Sequence, residues 1–317
     1  MDIGFSHEPV MLKECLEYMH IEKDGTYVDC TAGGGGHSLE IYRRLGPQGK
    51  LISIDQDPEA VHTVKKKLDE AKGRGSFIVL RDNFVNIENI IREHAPQGAD
   101  GILMDLGVSS HQLDTVERGF SYHNEAPLDM RMDPGNALSA YHVVNTYTKD
   151  KLVRVFREYG EERYAGRIAD AIIYKRQISP IDSTTELAEL VKSRYPAKER
   201  FKGTHPARRV FQAIRIEVNQ ELEVLRESLE KAAFSLKTGG NLLAITFHSL
   251  EDRIVKVEFL KLANPCQCPP DFPVCVCGKV GMHRVITKKP ILPGSFEIDF
   301  NRRSRSAKLR VIQRTKT

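Results

Sequence analysis

The sequence predicts an α/β protein: a mostly parallel, Rossmann-like sheet covered by helices on both faces, with an all-helical module inserted into it. Four short apolar segments alternate with amphipathic helical stretches in the first third of the chain. Residues 136–236 then carry almost only helical signals, after which an apolar strand returns. Strands separated by helices pair in parallel, because a crossover helix carries the chain back to the starting edge of the sheet.

The apolar segments define the predicted strands. They cover residues 27–30, 51–54, 77–80, 101–104 and 241–247, with two terminal strands near 284–288 and 307–313. An N-terminal helix is predicted from Ser6 to about Met19, with Pro9 in its first turn, where the missing N–H costs no hydrogen bond. The periodic stretch from about 206 to 236 predicts a long helical region leading back to the sheet.

This pattern predicts two domains. At ~150 residues per domain, a chain of 317 residues accommodates two. We expect a Rossmann-like domain at residues 1–135 and 208–317 and an inserted helical domain at 136–207. Such insertions are tolerated where chain ends lie close together.

Composition and terminal signals restrict the class of protein. Apolar residues make up 40% and charged residues 28% of the chain, which is typical of a globular protein rather than a disordered one. No apolar run approaches the ~20 residues of a membrane span, and the N-terminus lacks the basic and apolar regions of a secretion signal. We therefore expect a cytoplasmic protein with no membrane partner.

Basic residues are concentrated in two segments. Residues 192–215 hold eight Lys and Arg against one acidic residue, and residues 284–317 hold ten against two, whereas the whole chain has a net charge of only +4. Two basic segments on an otherwise acidic chain favour a polyphosphate partner such as a nucleic acid. Either segment alone is more typical of a solvated surface.

The six cysteines fall into two groups. Cys15 and Cys30 lie in apolar contexts and are predicted to be buried. The other four form two Cys-x-Cys pairs, at Cys266, Cys268, Cys275 and Cys277. In a reducing cytosol a tetrahedral zinc site explains four clustered thiols better than disulfides do, but the usual Cys-x-x-Cys spacing is absent. The sequence is therefore equally consistent with a zinc site at these cysteines and with no metal there. No metal is predicted at the active site.

A glycine-rich turn follows the first predicted strand. Asp29 ends this strand, and Gly33–Gly36 form a turn whose bare backbone lets a ligand approach helix N–H groups. The second strand ends at Asp55, where an acidic side chain can accept hydrogen bonds from both hydroxyls of a ribose. Together, these features predict a cofactor that contains adenosine.

The details favour S-adenosylmethionine over a dinucleotide. Ser38 stands where the third glycine of a pyrophosphate-binding turn belongs, and Asp29 would repel phosphate but suits an ammonium and a sulfonium. Phe84 follows the third strand, where an aromatic ring can meet the face of adenine. Core packing is the alternative for this residue.

Five longer motifs carry a family resemblance. They are Asp29-x-Thr-x-Gly-Gly-Gly-Gly-His-Ser38, Asp105-Leu-Gly-Val-Ser-Ser-His-Gln112-Leu-Asp114, Arg118-Gly-Phe-Ser121, Pro127-Leu-Asp-Met-Arg-Met-Asp133 and Phe247-His-Ser-Leu-Glu-Asp-Arg253. In these motifs the chain resembles the RsmH/MraW family of bacterial 16S rRNA (cytosine-N4)-methyltransferases, essentially from His7 to the basic C-terminal segment. The cysteine-rich insert is where it departs from many members of that family.

The resemblance implies a class I S-adenosylmethionine-dependent methyltransferase whose inserted helical domain recognises the substrate. That substrate is a cytosine in the decoding region of 16S rRNA within the small ribosomal subunit. The implied cofactor contacts are Gly35, Gly36, His37, Asp55, Phe84, Asp105 and Gln112. At His37 we expect the backbone N–H, more than the imidazole, to meet the cofactor.

Methylation of the exocyclic amine of cytosine makes specific demands on a site. The lone pair is delocalised into the ring, so the amine must be held in line with the methyl donor while a nearby acceptor takes the released proton. We predict that Asp105, or a backbone carbonyl of Leu106–Val108, is this acceptor. The target base must leave its stack, and Arg131 and His248 are predicted to line its pocket. A salt-bridging arginine and a helix-capping histidine are the alternatives.

Two other functions agree with parts of the sequence. One is a nicotinamide-dependent oxidoreductase, which Asp29 and Ser38 oppose. The other is a non-catalytic ribosome-assembly factor, for which the basic segments alone would supply RNA affinity.

Overall fold

The computed structural model describes residues 9–201, 203–269, 274 and 276–316. Contacts between residues divide the chain into two compact units. Unit 1 consists of Met1–Gly107 together with Leu222–Thr317, and unit 2 is Val108–Glu221.

Unit 1 is built on a seven-stranded sheet. Its strands are β1 (Thr26–Asp29), β2 (Lys50–Asp55), β3 (Ser76–Arg81), β4 (Ala99–Asp105), β5 (Leu236–Thr246), β6 (His283–Val285) and β7 (Lys308–Arg314). The strand order is β3-β2-β1-β4-β5-β7-β6. Neighbours among the first five strands pair in parallel, and β7 is antiparallel to both β5 and β6. The predicted mostly parallel sheet is confirmed, with strand ends shifted by a few residues.

The described residues also form thirteen α-helices. These are α1 (Leu12–Met19), α2 (Gly36–Tyr42), α3 (Pro58–Glu70), α4 (Ile87–His94), α5 (Ser110–Asp114), α6 (Ala140–Thr146), α7 (Lys149–Glu158), α8 (Ala165–Ile178), α9 (Thr184–Ser193), α10 (Ala207–Asn219), α11 (Glu221–Phe234), α12 (Ser249–Ala263) and α13 (Ser295–Phe300). In unit 1, helices separate the parallel strands along the chain, as a doubly wound fold requires.

The α3 helix illustrates how the sequence specifies these elements. Asp57 caps its N-terminus by accepting a hydrogen bond from the backbone N–H of Glu59, and Pro58 occupies the first turn, where no N–H is needed. Val64 and Leu68 recur at helical spacing and are fully buried, because they face the sheet side of the helix.

The first helix starts later than predicted. Met11 has a left-handed backbone conformation (φ 54°), which a regular helix cannot contain, so α1 begins at Leu12. The backbone N–H of Met11 donates to the carboxylate of Glu297, at 2.8 Å. The part of the predicted helix from Ser6 to Glu8 lies outside the described residues.

Unit 2 has an all-helical core of its own. Buried side chains of α6 to α10 pack together, among them Phe156, Ile172 and Ile214. The loop preceding these helices also contributes to this core, through Phe120 and Met130. The contact boundaries 108 and 221 therefore lie outside the predicted 136 and 207, because residues flanking the predicted insertion bury their apolar side chains in unit 2.

The periodic stretch predicted from 206 to 236 is divided into two helices. Gln220 has φ 52°, which ends α10 before α11 begins. Next to this break, the Asn219 side chain donates to the carbonyl of Met130 and accepts from the N–H of Met132. Within the described part of the chain, every helix is too short or too polar to cross a membrane.

The backbone of unit 2 gives a stability test at two glycines. Gly119 has φ +69°, and a Cβ there would lie 2.2 Å from the carbonyl oxygen of Pro127. We expect Gly119→Ala to lower the unfolding free energy by about 2 kcal/mol or more, because the backbone must shift and the left-handed conformation is strained. The matched change Gly166→Ala, on α8 with open space at its Cβ, should raise stability by up to about 1 kcal/mol. Calorimetric unfolding midpoints of the two full-length variants check this; equal midpoints would contradict it.

Candidate cofactor-binding and active site

The candidate site lies where the sheet reverses its strand order. From β1 the chain proceeds to β2 and β3 on one side, whereas β4 and β5 lie on the other side. In doubly wound sheets, ligands bind in the crevice at the carboxyl ends of the strands that flank such a reversal. Three aspartates end strands there: Asp29 on β1, Asp55 on β2 and Asp105 on β4.

The glycine turn after β1 is shaped for close approach of a ligand to the backbone. Gly34 has open space where a Cβ would be, and Gly35 has φ +80° and caps the N-terminus of α2. A Cβ on Gly36 would lie 2.9 Å from the ring of Pro9, so only glycine permits this contact. Because this turn directly follows the end of β1, the predicted contacts Gly35 and Gly36 lie at the carboxyl edge of the sheet.

Asp55 holds this turn from the neighbouring strand. Its carboxylate accepts hydrogen bonds from the backbone N–H groups of Gly33 (2.8 Å) and Asp57 (2.9 Å). Burial, reinforced by the charges of Asp57 and Asp29, raises the pKa of Asp55 to about 6, although the two N–H donors lower it. Each oxygen keeps a second lone pair, so the carboxylate can also accept from two hydroxyls of a ligand.

Asp29 does not face the site, which corrects one expectation. The side chain is fully buried, and its two oxygens accept hydrogen bonds from the Ser38 hydroxyl (2.7 Å) and the Thr31 N–H (3.2 Å). The Ser38 hydroxyl also lies 2.8 Å from that of Ser53. Burial raises the pKa of Asp29. Asp29 therefore fixes the turn to the sheet and does not receive the positive charges of a ligand.

His37 and Asp105 meet across the strand reversal. Nε2 of the buried His37 lies 3.7 Å from Oδ2 of Asp105, and the N–H of Asp105 is fixed by a hydrogen bond to the Thr31 hydroxyl (2.7 Å). Although burial lowers the pKa of His37, the neighbouring carboxylates of Asp105 and Asp29 raise it more, so the net shift is upward.

Two buried polar atoms at this point require an explanation. Among the described residues, neither Nε2 of His37 nor Oδ1 of Asp105 has a hydrogen-bond partner. Buried polar atoms are normally paired, and an atom without a partner in a ligand crevice is typical of a group that meets its partner in the ligand. Oδ1 of Asp105 is suited to accept from a cationic or N–H donor.

Phe84 and Gln112 lie in different units. Phe84 begins a short 3₁₀ turn after β3 and is partly exposed, with the preceding Asn83 bonded to the Gln56 side chain beyond β2. Its ring is thus not part of the buried core. Gln112 belongs to unit 2, where it is buried and its side-chain oxygen accepts from the N–H of Ser109 to cap α5.

The two predicted substrate-contacting residues are both engaged locally. Arg131 forms a two-pronged ion pair with Asp129 (3.0 and 2.7 Å) and also donates to two backbone carbonyls. Although burial raises the pKa of Asp129, the Arg131 guanidinium holds it below its ordinary value. His248 caps α12, with its Nδ1 accepting from the N–H of Glu251. These contacts match the alternatives of a salt-bridging arginine and a capping histidine, and contact with RNA stays a prediction.

Sequence reasoning missed the residues that hold the site together. Thr31 positions Asp105, Ser38 links Asp29 to β2, and the Lys67 ammonium donates to the carbonyl of Gly34 (2.6 Å). Only Ser38 gave a signal, since a hydroxyl at a position expected for glycine indicates a hydrogen bond inside the turn. A single surface lysine on α3 carries no such signal.

The described residues fit S-adenosylmethionine. Asp55 offers two acceptor oxygens for a diol, Asp105 offers an unpartnered acceptor for a cation, and the bare backbone at Gly34 leaves room for a ligand. The partly exposed ring of Phe84 can cover an adenine. The fold and this site together define a class I S-adenosylmethionine-dependent methyltransferase.

Sequence comparison identifies the family. The model of the MraW methylase family matches residues 4–315, and the chain belongs to that family. It is 52% identical over 310 residues to the ribosomal RNA small subunit methyltransferase H of Ruminiclostridium cellulolyticum, covering 98% of this chain and 99% of that one. The protein of the same name from Symbiobacterium thermophilum is 50% identical, covering 98% and 97%. A solved rRNA methylase from Streptococcus thermophilus is 9% identical with a TM-score of 0.42, covering 96% and 94%.

The pairing of His37 with Asp105 predicts a pKa change that can be measured. In Asp105→Asn, the pKa of His37 should fall below that of the native protein, because burial remains while the nearest carboxylate is lost. Nuclear magnetic resonance titration of ¹³C-labelled histidines would follow it, with His37→Gln assigning the signal. His283, whose pKa burial lowers, serves as the control and should titrate unchanged. An unchanged His37 pKa would show that Asp105 does not act on it.

Proposed function

We propose that this protein transfers a methyl group from S-adenosylmethionine to N4 of a cytosine in the decoding region of 16S ribosomal RNA. The observation that carries the proposal is the buried contact between His37 and Asp105 at the strand reversal, with an unpartnered carboxylate oxygen beside a glycine turn. Relatives that share about half of the sequence over 98% of the chain bear the name ribosomal RNA small subunit methyltransferase H. The choice of N4 of cytosine rests on the family resemblance.

The cofactor-binding role is assigned to residues of unit 1. Asp55 accepts from the ribose hydroxyls, Phe84 stacks on adenine, and the backbone of Gly35, Gly36 and His37 lines the middle of the ligand. Asp105 receives the positively charged end. A contact from Gln112 is implied by the family resemblance alone. When bound, S-adenosylmethionine supplies an electrophilic methyl group on a sulfonium.

Asp105 is the residue assigned to the chemical step. Bound S-adenosylmethionine would supply the methyl group to N4, and the Asp105 carboxylate would take the proton that the amine loses. Because a sulfonium would supply the methyl group and depart without charge, the protein need provide neither a metal nor a covalent intermediate. The Thr31 hydroxyl fixes the backbone of Asp105, and holding reacting groups in position lowers a barrier by several kcal/mol.

Unit 2 carries features suited to RNA. Exposed cations occur along its basic segment at Arg194, Lys198, Arg208 and Arg209, where each can neutralise a phosphate. Phe201 in the same segment is 84% exposed, so its ring is available for stacking with an unpaired base. We infer that this segment binds ribosomal RNA in the small subunit, which agrees with the expected cytoplasmic location.

The raised pKa of Asp55 predicts that cofactor affinity depends on pH. The carboxylate must be ionised to accept from two hydroxyls, and with a pKa of about 6 it is mostly protonated at pH 5. S-adenosylmethionine should therefore bind up to about tenfold more weakly at pH 5 than at pH 7.5. Calorimetric titration measures this, and Asp55→Asn should bind weakly with little pH dependence. A native affinity that stays constant between pH 5 and 7.5 would remove Asp55 from the ribose contact.

The proposed reaction is tested by labelled methyl transfer to small ribosomal subunits that lack this modification. We expect label in N4-methylcytidine after nuclease digestion, and a rate in Asp105→Asn at least about a hundredfold lower at saturating cofactor, because a positioned proton acceptor is lost. The control is Asp69→Asn, at an exposed carboxylate on α3 that should leave the rate unchanged.

The other outcomes each contradict part of the proposal. Retention of S-adenosylmethionine without transfer indicates a non-catalytic assembly factor, and binding of a nicotinamide dinucleotide instead indicates an oxidoreductase. Label in another nucleoside rejects N4 of cytosine. A loss of less than about fivefold in Asp105→Asn assigns the proton to another acceptor, such as a backbone carbonyl of Leu106–Val108.

A further inference from the structure

Three cysteines of the segment between α12 and β6 bring their sulfur atoms together. The Sγ atoms of Cys266, Cys268 and Cys277 all lie within 4.8 Å of one another. Those of Cys266 and Cys277 are 3.7 Å apart, well beyond the ~2.05 Å of a disulfide bond. Two thiolates bound to one zinc ion at ~2.3 Å with tetrahedral angles are about 3.8 Å apart. We propose that Cys266, Cys268 and Cys277 bind a structural zinc ion.

The surrounding backbone supports thiolates at this place. The N–H of Val276 donates to Sγ of Cys268 at 3.4 Å, although the two residues are eight positions apart. An N–H donor stabilises the charged form of sulfur, which is the form that binds metal. The amide that donates to Cys268 comes from the second Cys-x-Cys pair, so the tight spacing within the first pair does not prevent an N–H···S hydrogen bond.

The described residues of this segment bury no large apolar side chain. The C-terminal end of the segment is held by two contacts. Gly281 packs so closely against the carbonyl of Ala263, at the end of α12, that a Cβ on Gly281 would lie 2.2 Å from it. The carbonyl of Met282 accepts a hydrogen bond from the N–H of Thr315. Within the segment, the large apolar side chains of the described residues, Val274, Val276 and Val280, are 63–73% exposed. Small structures that bury little apolar surface are often stabilised by disulfides or a metal ion.

The donor set selects the class of metal. Thiolates favour zinc over magnesium or calcium, which prefer oxygen ligands. Zinc is also not redox-active. A site made of thiolates is typical of a structural zinc rather than a catalytic one, and the proposed methyl transfer uses no zinc. Cys275, the remaining member of the two pairs, lies outside the described residues, and the proposal depends on the other three.

The test measures zinc in the purified full-length protein by mass spectrometry after reduction, incubation with zinc sulfate and gel filtration. We expect about one zinc ion per chain in the native protein and less than about a tenth in Cys266→Ser/Cys277→Ser. Cys15→Ala removes a buried thiol of unit 1 and should keep the native zinc content.

Two further measurements separate loss of the site from loss of the fold. The double variant should keep its circular dichroism spectrum and bind S-adenosylmethionine as the native protein does. If that variant does not fold, cobalt bound by the native protein should show the visible absorption of a tetrahedral thiolate site, and one equivalent of zinc should abolish it. A native protein with less than about a tenth of a zinc ion per chain, or a folded double variant with native zinc content, would overturn the proposal.

Discussion

The reversal of strand order between β1 and β4 is the constraint on which the candidate site depends. Parallel strands on the two sides of this point deliver their carboxyl ends to one crevice, so that residues far apart in sequence become neighbours. The Thr31 hydroxyl, which accepts from the N–H of Asp105, links the first strand-end loop to β4 over 74 residues of chain. This link ties the loop that leads to His37 to the strand end that carries Asp105.

Much of the unit 1 fold follows from local sequence signals. Strands β2 and β4 were predicted by short apolar runs, because a strand buried on both faces needs apolar side chains at nearly every position. The bounds of unit 2 were not predictable in the same way. Phe120 and Met130 sit in loops without periodicity, and their assignment to the helical core depends on long-range packing that no local pattern records.

The candidate site was predictable in composition but less so in arrangement. The glycine turn and Asp55 gave clear signals, since their roles depend on backbone conformation and on position at a strand end. Asp29 gave the same kind of signal, yet its carboxylate is fully buried and hydrogen-bonded within the protein. Its partner Ser38 is only nine residues away in the sequence, but the hydrogen bond between them depends on how α2 packs over β1 and is not recorded in a local pattern.

The three strand-end aspartates show what decides whether a carboxylate can serve a ligand. Asp29 accepts one hydrogen bond on each oxygen and is fully buried, so a ligand does not reach it and it supports the turn. Each oxygen of Asp55 accepts one hydrogen bond from a backbone N–H group, so a second lone pair on each oxygen remains available to a ligand. Asp105 alone has a buried oxygen with no partner among the described residues. Since an unpaired buried acceptor costs about 1–3 kcal/mol, it is retained where a ligand or a transferred proton supplies the missing partner.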